Sequence, residues 1–178
     1  MYSEPELKDL LKVLPEDFKQ KTNELWSYVD EKLIAFVGKV QRIYRDGICV
    51  QGEEALSKLV HLDMENYKIA KKLVDAGASF EATEDALLVA ESENWLHMLA
   101  SKGSNLTVLE MFEETIKERD SIVSKRVNET LGDDECGVLF MDPSRAVSLN
   151  EKIKVIKMCR FDPTDYLKSW QIRLKSKT

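Results

Sequence analysis

Histidine, cysteine, proline and glycine are all scarce in this chain: two, three, four and seven among 178 residues. The two histidines, His61 and His97, stand alone and far apart, which argues against a His-ligated zinc hydrolase and against a Ser-His-Asp triad. Cys49, Cys136 and Cys159 are equally scattered. None has the close partner, about two to four residues away, that a zinc knuckle or redox pair needs. Each lies in or beside an apolar stretch, so each reads as a small buried hydrophobe. An odd cysteine count, and a Met1–Glu6 start without the features of a signal peptide, predict a reducing cytoplasm. Few glycines and prolines leave little room for long linkers, and no P-loop or G-x-G-x-x-G stretch occurs. No apolar run approaches the roughly 18–20 residues of a membrane span. Positive charge is also in deficit: 26 Lys+Arg against 32 Asp+Glu give a net −6. This speaks against nucleic-acid or anionic-membrane binding.

What is present is enough for a self-sufficient core, at 43% hydrophobic and 33% charged residues. The length fits one domain. Ser3–Glu6 forms a capping box for a short helix through Val13. From Pro15, apolar residues at Phe18, Leu25, Trp26, Val29, Leu33, Phe36, Val37 and Val40 repeat at helical spacing, predicting a helix of about 22 residues, ~33 Å long. The pattern Val40–Tyr44 then alternates and stops at Asp46-Gly47, as a strand and turn do. Helices are expected at 53–61, 65–75 (closed by Gly77), 84–101 (capped by Thr83) and about 107–131 (opened by a Thr107–Glu110 capping box), with a short strand at Ala78–Ala82. Gly137–Met141 is continuously apolar, as a central strand is, and Ile153–Met158 alternates, as an edge strand does. Asp162–Asp165 opens a last helix bearing Tyr166, Leu167, Trp170 and Leu174. The expected fold is α/β, with a small mostly parallel sheet, crossover helices and a long N-terminal helix. It is read as one domain over 1–178, with a helical extension over 1–39 and the sheet core and C-terminal helix over 40–178.

The charge is uneven. From Lys152 onward there are eight basic and two acidic residues, net +6, leaving −12 on the remainder. Lysines on an edge strand and at a helix C-terminus account for such a tail. Ligands of open parallel sheets bind beyond the carboxyl ends of the strands. There the predicted strands end in Asp46, Glu84 and Asp142, which would meet at one rim if the strands are neighbours. Paired carboxylates could hold a divalent cation or divide acid and base roles. The apolar seam of the long helix (Phe112, Ile116, Val123, Val127) is interrupted by Arg119-Asp120. Charges on a buried stripe need partners, so these two either leave the core face or enter a polar cleft; Arg119, with Arg126 seven residues on, could there receive an anion or satisfy the rim carboxylates.

Several stretches resemble a family of uncharacterised prokaryotic α/β proteins: Ile43–Gly47, Asn66-Tyr67 through Ala78, Ala82–Asp85, Glu118–Asp120 and Lys125–Leu131 followed by Gly137–Phe140. The order is kept over roughly residues 40–158. The layout is also distantly similar to the TraB/PrgY–ChaN-like group, in which an E-R-D-like helix precedes a strand ending in a Gly and His turn. That resemblance implies a polar pocket at this turn. Here the turn reads Met141-Asp142-Pro143-Ser144-Arg145, with no histidine, and no strand with a His-containing turn precedes the long helix.

These readings predict a non-catalytic or regulatory binding module with a degenerate polar pocket near Asp46, Glu84, Arg119, Asp120, Arg126 and Asp142, and no obligatory cofactor. Two alternatives stand beside it. One is a hydrolase whose Asp46, Glu84 and Asp142 hold a divalent metal while Arg119 or Arg126 binds an anionic substrate. The other is a homo-oligomer joined through the Phe18–Val40 helix.

Overall fold

The computed structural model describes residues 15, 17–102, 105–163 and 166. The expected helix over Ser3–Val13 lies outside these, as does most of the expected C-terminal helix. The chain divides into two compact units: one takes the chain up to Ala35, Asp142–Ser144 and the chain from Lys157 onward; the other takes Phe36–Met141 and Arg145–Ile156.

The first unit is built on α1, Phe18–Leu33. The expected longer helix stops there, tightening into a 3-10 turn over Ile34–Phe36. Gly38 follows at a φ of +76°, a conformation that costs little only for glycine. Phe18, Phe161 and Tyr166 group their rings at 5.4–6.1 Å. The Tyr166 hydroxyl donates to Asp17 and holds that carboxyl below its usual range. The Arg160 guanidinium stacks 4.0 Å from the Tyr28 ring centre.

The second unit holds a three-stranded, all-parallel sheet ordered β2-β1-β3. Its strands are β1 (Arg42–Arg45), β2 (Ser79–Phe80) and β3 (Gly137–Phe140). Between β1 and β2 run α2 (Gly52–Leu62) and α3 (Met64–Asp75); between β2 and β3 run α4 (Ala86–Lys102) and α5 (Leu106–Thr130). Parallel neighbours require such crossovers. β1 is central because consecutive residues point to opposite faces and both are covered: Ile43 is 0% and Tyr44 1% exposed.

Two strand expectations are corrected. β3 is an edge strand, since among the described residues only β1 pairs with it, and its glycine start is exposed. The Ile153–Met158 stretch joins no ladder, and Val155 and Ile156 lie open to solvent. Alternation gives a segment a strand's pattern but not a partner, and the chain before it is captured by a helix, as described below. Two caps also differ: Asp85 rather than Thr83 accepts the first α4 amides, from Leu87 and Leu88, and Asn105 accepts from Thr107 at the start of α5. Among the described residues, no helix is long and apolar enough to cross a membrane.

α2 and α3 bury Ala55, Leu56, Leu59, Ile69, Ala70 and Leu73. Gly77, at φ +104°, closes α3 and turns the chain into β2, with Gly77 N–H donating to Val74 and Ala78 N–H to Leu73. Replacing Gly77 by Ala is expected to lower stability by about 1 kcal/mol, read as a lower urea midpoint with an unchanged slope. An unchanged midpoint would show that this turn does not constrain the crossover.

Candidate functional site

The loops leaving the three strands carry the charged residues of the second unit to one place. After β1 come Asp46 and Gly47, after β2 come Thr83 and Glu84, and beyond β3 comes Arg145. Hydrogen bonding between β1 and β2 continues past the strands and fixes their relative height. Thr83 and Glu84 N–H both donate to the Ile48 carbonyl, and Arg45 N–H donates to Thr83 Oγ1. Gly47, at φ +75°, turns its N–H onto Glu84 Oε1 at 3.0 Å.

Glu84 is the centre. Its side chain is fully buried. Arg119, from the middle of α5, grips it with two bonds, Nε to Oε2 at 2.5 Å and Nη2 to Oε1 at 3.0 Å. Arg119 also donates from Nη1 to Ser92 Oγ of α4 at 2.7 Å. Arg145 bridges two acids: Nη1 donates to Glu84 Oε1 at 3.0 Å and Nε to Asp120 Oδ1 at 2.5 Å. It also lies 3.9 Å from Asp46 Oδ2. Asp46 is paired in addition with the neighbouring Arg45 guanidinium. Three arginines (Arg45, Arg119, Arg145) thus face three carboxylates (Asp46, Glu84, Asp120), and the cluster is neutral.

Such burial is tolerable because planar, two-pronged guanidinium–carboxylate bonds replace lost hydration. Burial pushes the Glu84 carboxyl up, but the bonds and charge of Arg119, and then of Arg145, outweigh it and hold Glu84 below the usual carboxylate range. The nearby Cys49 thiol is pushed up by burial, so it is poorly suited to act as a nucleophile.

Arg145 is delivered by a second device. Asp120, Ser124 and Asn128 repeat every four residues on one edge of α5. Their side-chain oxygens accept the backbone N–H groups of Ala146, Ser148 and Asn150 at 2.8–2.9 Å. Four helical residues rise about 6 Å, and two extended residues about 6.6 Å, so helix and strap stay in register over three contacts. Asn128 completes the pairing by donating to the Ser148 carbonyl. The intervening Val147 and Leu149 pack with Ile153 on the buried Tyr44, Val123 and Val127.

Of the residues singled out from the sequence, Asp46, Glu84, Arg119 and Asp120 come together. Arg126 lies exposed on α5 outside the cluster. Asp142 falls in the other unit, where it accepts from the Ser144 N–H and hydroxyl. Sequence reasoning missed Arg145, Arg45 and Ser92. A charge count carried the signal for the arginines, because three acids converging on one Arg119 need further cations, and Arg145 directly follows the β3 turn. It also missed a second clasp on the sheet: Arg42 donates to Glu81 at 2.6 Å and twice to Glu135 at 3.0 and 3.2 Å, holding Glu135 below the usual carboxylate range. Both histidines are exposed, and Cys159, expected to be buried, is exposed as well.

No family model, curated protein or solved structure matches the chain.

Arg145→Ala leaves Glu84 and Asp120 short of a cation and is expected to destabilise the protein by about 3–5 kcal/mol. The pH dependence has a definite sign. A carboxyl held low in the folded state contributes stability that is complete above its ordinary value of 4.5 and fades as pH falls through the lower folded value. Glu84→Gln should therefore lower the urea midpoint at neutral pH and flatten its decline below pH 4.5. An acid decline as steep as in the parent protein would place the proton-linked loss elsewhere.

Proposed function

We propose that the chain is a non-catalytic binding or regulatory α/β module whose strand-end pocket has become a structural clasp. One observation carries the reading: the carboxylates that chemistry would need are already engaged. Glu84 Oε1 accepts from Gly47, Arg119 and Arg145, and its Oε2 from Arg119. Asp120 accepts from Arg145 on one oxygen and from the Ala146 N–H on the other. A divalent cation entering here would meet guanidinium groups at hydrogen-bond distance from its would-be ligands. Among the described residues, no group of three or more His, Cys, Asp or Glu side chains is arranged to hold a metal ion. The position of Arg145 supports the same reading. It follows the turn at which the TraB-like resemblance implies a histidine, and it spends its charge on Glu84 and Asp120.

The competing reading is a hydrolase whose strand-end acids bind a divalent metal and whose arginines bind an anionic substrate. Thermal unfolding with millimolar Mg²⁺, Mn²⁺ or Zn²⁺, with and without inorganic phosphate, separates the two. A ligand that binds only the folded state stabilises it by RT ln(1 + [L]/Kd), so Tm climbs with ligand concentration; the module reading predicts no such rise. A rise abolished by Glu84→Gln would establish the hydrolase-type site instead.

A further inference from the structure

In the outer half of α5, Val108 and Thr115 are buried, but the flank beside them is only partly covered. Leu109, Phe112, Ile116, Val123 and Val127 follow one another at steps of three, four, seven and four, and so share one face. Val123 and Val127 are buried in the core, whereas Leu109 is 39% exposed and Phe112 and Ile116 are only partly buried. The Ser92–Arg119 bond sets the register against α4. Leu96 lies one turn beyond Ser92 and Ile116 three residues before Arg119, so both sit on the same stretch of the hairpin, toward the α4–α5 connection. Leu96 is itself 43% exposed. An apolar strip therefore runs along the outer half of the hairpin.

Its rim is strongly acidic. From Asp85 to Glu118 there are seven acidic and two basic residues, net −5. Glu91, Glu93, Glu110, Glu113, Glu114 and Glu118 are all exposed. This charge selects the occupant. A second copy would bring the same −5 against it, and nucleic acid or an anionic bilayer would be repelled in the same way. A helix with an apolar face flanked by lysine or arginine matches both features, in the mode by which amphipathic helices lie in grooves.

We propose that the outer half of the α4–α5 hairpin is a docking surface for a basic amphipathic helix of a partner protein. The surface is separate from the arginine clasp, so it can fail without affecting the reading of that cluster. Fluorescence anisotropy of the full chain with a labelled amphipathic peptide of leucine and lysine at helical spacing tests it. Saturable binding that weakens with salt is expected, together with a loss of about tenfold or more in Leu96→Ser/Leu109→Ser. Both positions are exposed, so Tm should hold and separate lost binding from lost fold. Glu113→Lys/Glu114→Lys should weaken binding, whereas Glu53→Lys/Glu54→Lys on the equally exposed start of α2 should not. Absence of binding, an equal loss from both charge reversals, or equal binding of a leucine–glutamate peptide would each overturn the proposal. So would a dimer in light scattering that Leu109→Ser dissociates, since a second copy would then be the occupant.

Discussion

Glu84 constrains the second unit more than any other residue. A carboxylate with no solvent contact needs charged and hydrogen-bonding partners, and here they come from three other segments: Gly47 after β1, Arg119 in α5 and Arg145 beyond β3. The three strands are short, with only two residues in β2. Few ladder bonds hold them together, and the network at their carboxyl ends supplies order that the ladders alone do not. An ion cluster of this kind adds less to net stability than its bond count suggests, because desolvation offsets much of the attraction. What it supplies is specificity, since a slipped register or displaced helix leaves a charge buried and unpaired.

Helix α5 serves three purposes along its length. Its outer half pairs with α4 and leaves an acidic-rimmed apolar strip. Its middle presents Arg119 to Glu84 and Asp120 to Arg145. Its inner half packs Val123 and Val127 against Tyr44 while Ser124 and Asn128 hold the strap. Two registers coexist on it: an apolar one for the core and a four-residue polar one that matches an extended chain. The strap is why Arg145 reaches the cluster although, among the described residues, no strand follows β3.

Much of this was legible in the sequence for a physical reason: local patterns determine local structure. Helical spacing located α2 to α5 to within two residues, and the β-branched and apolar runs located β1 and β3. The Arg119-Asp120 interruption of an apolar seam was informative because buried charge demands partners. Non-local facts were not legible. Nothing in Gly137–Phe140 says that β1, not it, occupies the centre, and nothing in the alternation of Ile153–Met158 reveals the lack of a partner strand. Arg145 was missed because its role depends on the strap's register with α5, which is a property of two segments together. A seven-residue spacing sets Arg126 near the face of Arg119, but it lies exposed outside the cluster.

The central claim is that Glu84 and Arg145 act as one buried unit joining the strand ends to the strap. A double-mutant cycle of Glu84→Gln, Arg145→Met and the pair, read from urea unfolding at neutral pH, measures this directly. The account predicts a coupling of about 1–3 kcal/mol, with the double variant less damaged than the sum of the singles. Additivity to within about 0.3 kcal/mol would contradict it, showing that the two side chains stabilise the fold independently.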